Sequence, residues 1–257
     1  MSLWLRERVE ARLSPSSVML RRLARGARPR ELTRYSYDLG AGENMRDWRP
    51  AVALAHSKIE SLGWRKMDLD IVLAGDFTRL AMLPWTAAVT ERDAAAYALH
   101  QFRCIYGDTV DGWIVSLGIA RPRCPRVAAA VERALIDGLR TEAAAYDLRL
   151  RSVRPLLAAL LDSRSAKDVP ASGWVALAEA GSVHVACFVD GNCIDVRSAR
   201  STGDAPTILL ALLHESALST DRDTEQAQLV LYASDAPDCS LLREHGWRVT
   251  TATTEFA

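Results

Sequence analysis

The sequence predicts an α/β fold of two related subdomains, each opening with a β-hairpin. Three observations carry this expectation. Short apolar strand runs alternate with segments of helical period. Both halves place two strand runs ahead of their first helix. A small polar stretch, SRSAKDVPASG at 163–173, separates them. The expected subdomains are residues 1–165 and 172–257.

In ARLSPSSVMLRRL (11–23), apolar residues alternate up to a Ser-Pro-Ser-Ser turn and resume through Val18, Leu20 and Leu23. Strands are therefore expected at 9–13 and 17–23, followed by a loop from Ala24 to about Glu43. Asp47 is placed to cap a helix ending at Gly63, with Val52, Leu54, Ala55 and Ile59 inward. DLDIVLAGDFTRLAMLPW, from Asp68, reads as two strands that turn at Ala74–Gly75–Asp76. Thr90 with Asp93 resembles a capping box for a helix that buries Leu99, Phe102 and Ile105 or Tyr106 and stops at Gly107. GWIVSLGIA and RVAAAV are further strands. The next helix aligns Leu135, Ile136, Leu139 and Ala143, and RLRSV and LLAALLD close the first half. The second half restarts with GWVALAEAGSVHVACFV, a tight Asp190–Gly191–Asn192 turn and CIDVRSA. Helix, strand, helix and strand then follow.

Composition excludes several classes. Lysine plus arginine and aspartate plus glutamate both number 32, so bulk charge offers no argument for nucleic acid. Nine arginines against three glutamates in the first 34 residues form a local basic stripe. It reads as a solvated strand face, or as a surface for acidic lipid or an acidic partner segment. Five cysteines without CxxC spacing read as reduced thiols in the cytosol. Charges at Arg6, Glu7 and Arg8 argue against a signal peptide, and no apolar run reaches transmembrane length.

The two hairpins carry the functional reading. The pattern strand, small-residue turn, Ser-Val, strand resembles the phosphate hairpins of the actin, Hsp70 and sugar-kinase superfamily. That resemblance implies an actin-like (ribonuclease H-like) fold. In the family an aspartate serves magnesium, and glycines let backbone N–H groups reach phosphate. Here Arg12 stands at the aspartate position and Ser14 at the glycine position, with Pro15 and Ser16 at the tip. In the second hairpin Ala178 and Ala180 take those places, followed by Gly181 and Ser182. The phosphate site thus reads as degenerate, with no cofactor and no catalysis expected.

A hairpin-led, actin-like chain with degraded phosphate turns resembles the pilus-assembly protein PilM and the cytoplasmic domain of GspL from type II secretion. VLAGDFTRLAMLPW (72–85), ending in Leu83–Pro84–Trp85, is similar to the GspL-type segment. The resemblance implies a non-catalytic cytoplasmic scaffold, peripheral to the inner membrane through a partner. That partner would be the cytoplasmic tail of a bitopic membrane protein, with an assembly ATPase as a second. No nucleic acid and no direct membrane insertion are expected, and homodimerisation stays open. Trp85 is the candidate partner-binding residue, with core packing as its bland alternative. A nucleotide-binding actin-like ATPase is the alternative function.

Other chemistry lacks its entry residues. No GxxxxGK[ST], GxGxxG or GxSxG occurs. His100 and Cys104 are two ligands without a third, and Cys104 is expected in the core. His214 and Glu215 lie on one helix without a nucleophile. Asp68 and Asp70 are expected on the polar side of a strand's entry. A ribonuclease H-type nuclease needs several convergent carboxylates, and Glu10 is the one acid near the first strand.

Overall fold

Alternation brings the first strands together. In β1 (Arg8–Leu13), Val9, Ala11 and Leu13 are fully buried in one apolar cluster, while Arg8, Glu10 and Arg12 take the opposite face. The structure is a computed structural model. It describes residues 6–254 except 27–29, 41–43, 88–89, 91, 164–169, 202, 226 and 235–236. Most of the stretch expected as the linker, 164–169, lies outside the described residues.

β1 pairs antiparallel with β2 (Ser17–Leu23) and parallel with β4 (Asp68–Leu73). With β3 (Glu31–Asp38) and β8 (Arg149–Pro155) the order is β3-β2-β1-β4-β8. The second sheet repeats it with β9 (Gly173–Ala178), β10 (Ser182–Val189), β11 (Asn192–Arg200), β12 (Gln228–Ala233) and β13 (Arg248–Thr253). Its order is β11-β10-β9-β12-β13, with the same strand directions. Two sheets of one topology establish the two related, hairpin-led halves.

Helices α1 (Arg49–Ser61) and α3 (Arg133–Ala145) bury Ile59, Leu135 and Leu139 against the first sheet's apolar face. Around the second sheet, α5 (Ala205–Ser219) and α6 (Ser240–Glu244) bury Leu213 and Leu242 beside Trp174. Each such side chain contributes roughly 2 kcal/mol by burial. The β10–β11 turn has Asp190 at φ 49° and Gly191 at φ 74°, the paired left-handed residues a two-residue hairpin requires.

Between β4 and β8 the chain builds a third sheet, β5-β7-β6, from β5 (Thr78–Leu83), β6 (Trp113–Leu117) and β7 (Arg126–Glu132). It packs on α2 (Ala94–Tyr106) through Ala98 and Phe102. Two compact units result: Met1–Thr78 with Val131–Leu156, and Arg79–Ala130 with Leu157–Ala257. The division is thus discontinuous, whereas a single break between 165 and 172 was expected. The short α4 (Leu156–Ser163) falls almost wholly in the second unit.

Three local expectations change. The loop expected from Ala24 contains β3, an edge strand almost wholly exposed and held by backbone pairing to β2. Its two solvated faces erase the alternation that marks a strand. On α2, Ile105 is 64% exposed because Ala98 and Phe102 define the buried stripe. Cys104 is likewise exposed, its Sγ 3.7 Å from His100 Nε2 on the helix's outer side.

Candidate functional site

Both hairpin tips are tight and nearly identical in backbone plan. The last paired residues of β1 and β2 are Leu13 and Val18, and those of β9 and β10 are Ala178 and Val183. One step further, Ser14 N–H donates to Ser17 O at 3.0 Å, and Glu179 N–H donates to Ser182 O at 2.8 Å. Leu13 therefore corresponds to Ala178, Arg12 to Leu177, and Ser14 to Glu179. Arg12 and Ala178, aligned with each other in the sequence, are offset by one residue. A one-residue slip exchanges the faces of a strand, and turn composition alone does not fix it. Arg12 lies on the face opposite the first core, whereas Ala178 packs against the second. In either register both candidate positions lack a carboxylate. The tip carboxylate is Glu179.

The first tip uses its own polar groups. Ser14 Oγ donates to Ser17 O at 3.0 Å and accepts from Ser17 N–H at 2.9 Å. Ser16 O accepts from Leu39 N–H at 2.8 Å. Pro15 has no N–H. Two of the tip's three N–H groups, those of Ser14 and Ser17, are thus spent inside the turn, whereas a phosphate cradle needs several convergent donors. In the second tip Ala180 is exposed, Gly181 O accepts from Ser201 N–H at 3.0 Å, and Ser182 Oγ is buried without a hydrogen-bond partner.

Beside the first hairpin lies an ionic layer that the sequence did not reveal. Glu10 and Asp70 are neighbours across β1 and β4, as are Arg8 and Asp68. Arg21 Nη2 donates to Glu10 at 2.9 Å, Arg8 Nε lies 3.3 Å from Asp70, and Arg149 grips Asp68 with bonds of 2.9 and 2.8 Å. Ser152 Oγ donates to Asp70 at 2.6 Å. Asp68 and Asp70 stand at the entry of β4 on its charged side, as expected, but both are buried. Burial pushes Glu10 above the ordinary carboxylate range more strongly than Arg21 pulls it down. Three carboxylates thus share one side of paired β1 and β4, and each is engaged by arginine. Among the described residues no group of three or more His, Cys, Asp or Glu is arranged to hold a metal ion.

The same pairs change the reading of the N-terminal arginines. Arg22 bonds Glu7 at 2.8 and 2.5 Å, and Arg34 bonds Glu31 at 3.0 and 2.8 Å. With Arg8 and Arg21, four of the nine arginines are neutralised within the fold. Part of the basic stripe is thus a set of ion pairs: Arg8, Arg21 and Arg22 reach residues outside their own strand, and Arg34 pairs with Glu31 within β3.

Trp85 lies just beyond β5 and is 51% exposed. With Pro84, Tyr97 of α2 and Pro122 it lines a cavity of about 340 Å³, rimmed by Arg121 and Arg126. Arg121 is held by Asn192 Oδ1 at 2.6 Å, and Arg126 donates to Gly118 O at 3.1 and 2.8 Å. No described helix is long and apolar enough to cross a membrane.

No family model matches the chain, and no curated protein matches its sequence. Solved structures do match in fold. A Bacteroides thetaiotaomicron protein of actin-like ATPase fold and unknown function aligns over 97% of this chain and 94% of its own, at 11% identity and TM-score 0.69. The PilM–PilN type IV pilus biogenesis complex aligns over 96% and 88%, at 13% identity and TM-score 0.67. The cytoplasmic domain of EpsL, an inner-membrane component of the Vibrio cholerae type II secretion system, aligns over 96% and 90%, at 15% identity and TM-score 0.61. Paired five-stranded sheets, matched hairpins and these likenesses together give the chain the actin-like ATPase fold.

Proposed function

We propose that this chain is a non-catalytic actin-like scaffold in the inner-membrane assembly platform of a type IV pilus or a type II secretion system. It binds the cytoplasmic tail of a bitopic membrane partner and is held at the membrane by that partner. One observation carries the reading: the first hairpin tip uses its own amides and hydroxyls to close itself. The likeness to PilM and to the EpsL cytoplasmic domain supports the choice of machine. Glu179, at the second tip, is the feature that favours the competing reading, a nucleotide-binding ATPase. One carboxylate without a cradle opposite it is weak support for magnesium-nucleotide chemistry.

The internal pairing of the N-terminal arginines sharpens the test. Purified chain mixed with partner-free phosphatidylglycerol vesicles stays in the supernatant after sedimentation, and it pellets with membranes that contain its partner. Recovery of the lone chain on partner-free vesicles contradicts the scaffold reading.

A further inference from the structure

We infer that the Trp85 cavity takes an extended acidic peptide, seating an aliphatic side chain beside a carboxylate. The inference rests on the scaffold reading and deepens it by naming the chemistry of the bound tail.

Charge carries the choice of occupant. Between Asp111 and Glu132 the chain has three arginines, Arg121, Arg123 and Arg126, and no acid. They fall within the six residues RPRCPR, where Pro122 and Pro125 limit the backbone's freedom. Arg121 and Arg123 are exposed. The hydrogen bonds from Arg121 go to the neutral oxygens of Gly191 and Asn192, which orient the guanidinium without cancelling its charge. A guanidinium fixed in this way is well suited to a carboxylate.

Shape supplies the second half. Trp85, at 51% exposure, and Pro84 form an apolar wall, and a cavity of about 340 Å³ accommodates a side chain of the visiting peptide. Leu83 and Ala120 also line the cavity and add to its apolar surface. A concave seat with a tryptophan anchor and a fixed cation orients a single segment. A flat anionic bilayer would leave the cavity unfilled.

The test is selection of a displayed random dodecapeptide library on the immobilised full chain, repeated with Trp85→Ala and Arg121→Gln. Sequences that place Asp or Glu next to Leu, Ile or Val are expected to enrich on the wild type and on neither variant. A synthetic copy of an enriched peptide is expected to lose about tenfold in affinity with each variant by fluorescence anisotropy. Both positions are exposed, so the variants should melt with the wild type. Several results overturn the inference: no enrichment, enrichment of basic or uncharged peptides, or binding indifferent to both substitutions. Pelleting on phosphatidylserine vesicles that Arg121→Gln abolishes also overturns it, in favour of a membrane surface. Nucleotide titration of the same preparation reads the scaffold proposal separately. Silence there with no peptide enriched removes this site alone.

Discussion

Replacing Glu10 with alanine is expected to destabilise the first unit by about 3 kcal/mol, read as a fall in the urea midpoint. Glu10 and Arg21 have side chains only 8% and 12% exposed, 2.9 Å apart. Burial disfavours the charge on both, lifting Glu10 and lowering Arg21 from their ordinary ranges. The pair is therefore a poor source of net stability, yet removing one member is costly. Arg21 would keep a desolvated guanidinium facing the space its carboxylate had filled. Glu31, 3.8 Å from Arg21 and a third exposed, is a weaker substitute. Glu10→Leu combined with Arg21→Met should recover most of the loss, because an apolar pair has no charge to desolvate. A Glu10→Ala chain as stable as the wild type would show that the ionic layer does not hold the hairpin.

Acid is expected to weaken the second unit through His184. Its ring is 2% exposed on β10, with Nδ1 2.7 Å from Ser198 Oγ and Nε2 without a hydrogen-bond partner. Burial, assisted by the charge of Arg79, lowers its pKa to about 4. An unfolded histidine titrates near 6.5. Between these values the unfolded chain binds the extra proton, so stability rises with pH through that window and falls on acidification. The full loss from pH 7 down to about 4 is about 3 kcal/mol, near 1.4 kcal/mol per pH unit within the window. Urea unfolding of wild type and His184→Gln at pH 7, 6 and 5 checks it. The variant's profile should be flatter by that slope, and parallel profiles would contradict the assignment.

Strand alternation and helix stripes made most of the fold legible. Leu135, Ile136, Leu139 and Ala143 form the buried face of α3, and 68–73 and 78–83 are strands around a short turn. What escaped was either doubly solvated or dependent on pairing. β3 has no buried face to pattern its residues. The ionic layer exists because β4 lies parallel beside β1, which sets Asp70 next to Glu10 across more than fifty residues of chain. Hairpin register is a tertiary fact of the same kind: Ser-Pro-Ser-Ser and Glu-Ala-Gly-Ser mark turns without stating which residue ends the strand. The basic segment RPRCPR did not stand out in the sequence, where only the N-terminal arginines did. Its meaning required Trp85 and the cavity beside it.

The most direct test of the scaffold account is isothermal titration of the purified chain with ATP, with and without magnesium. The account predicts no heat of binding at millimolar nucleotide in either condition. Micromolar, magnesium-dependent binding that survives Arg12→Ala and is lost with Glu179→Gln would contradict it, and would show that an actin-like phosphate site still operates around the second hairpin.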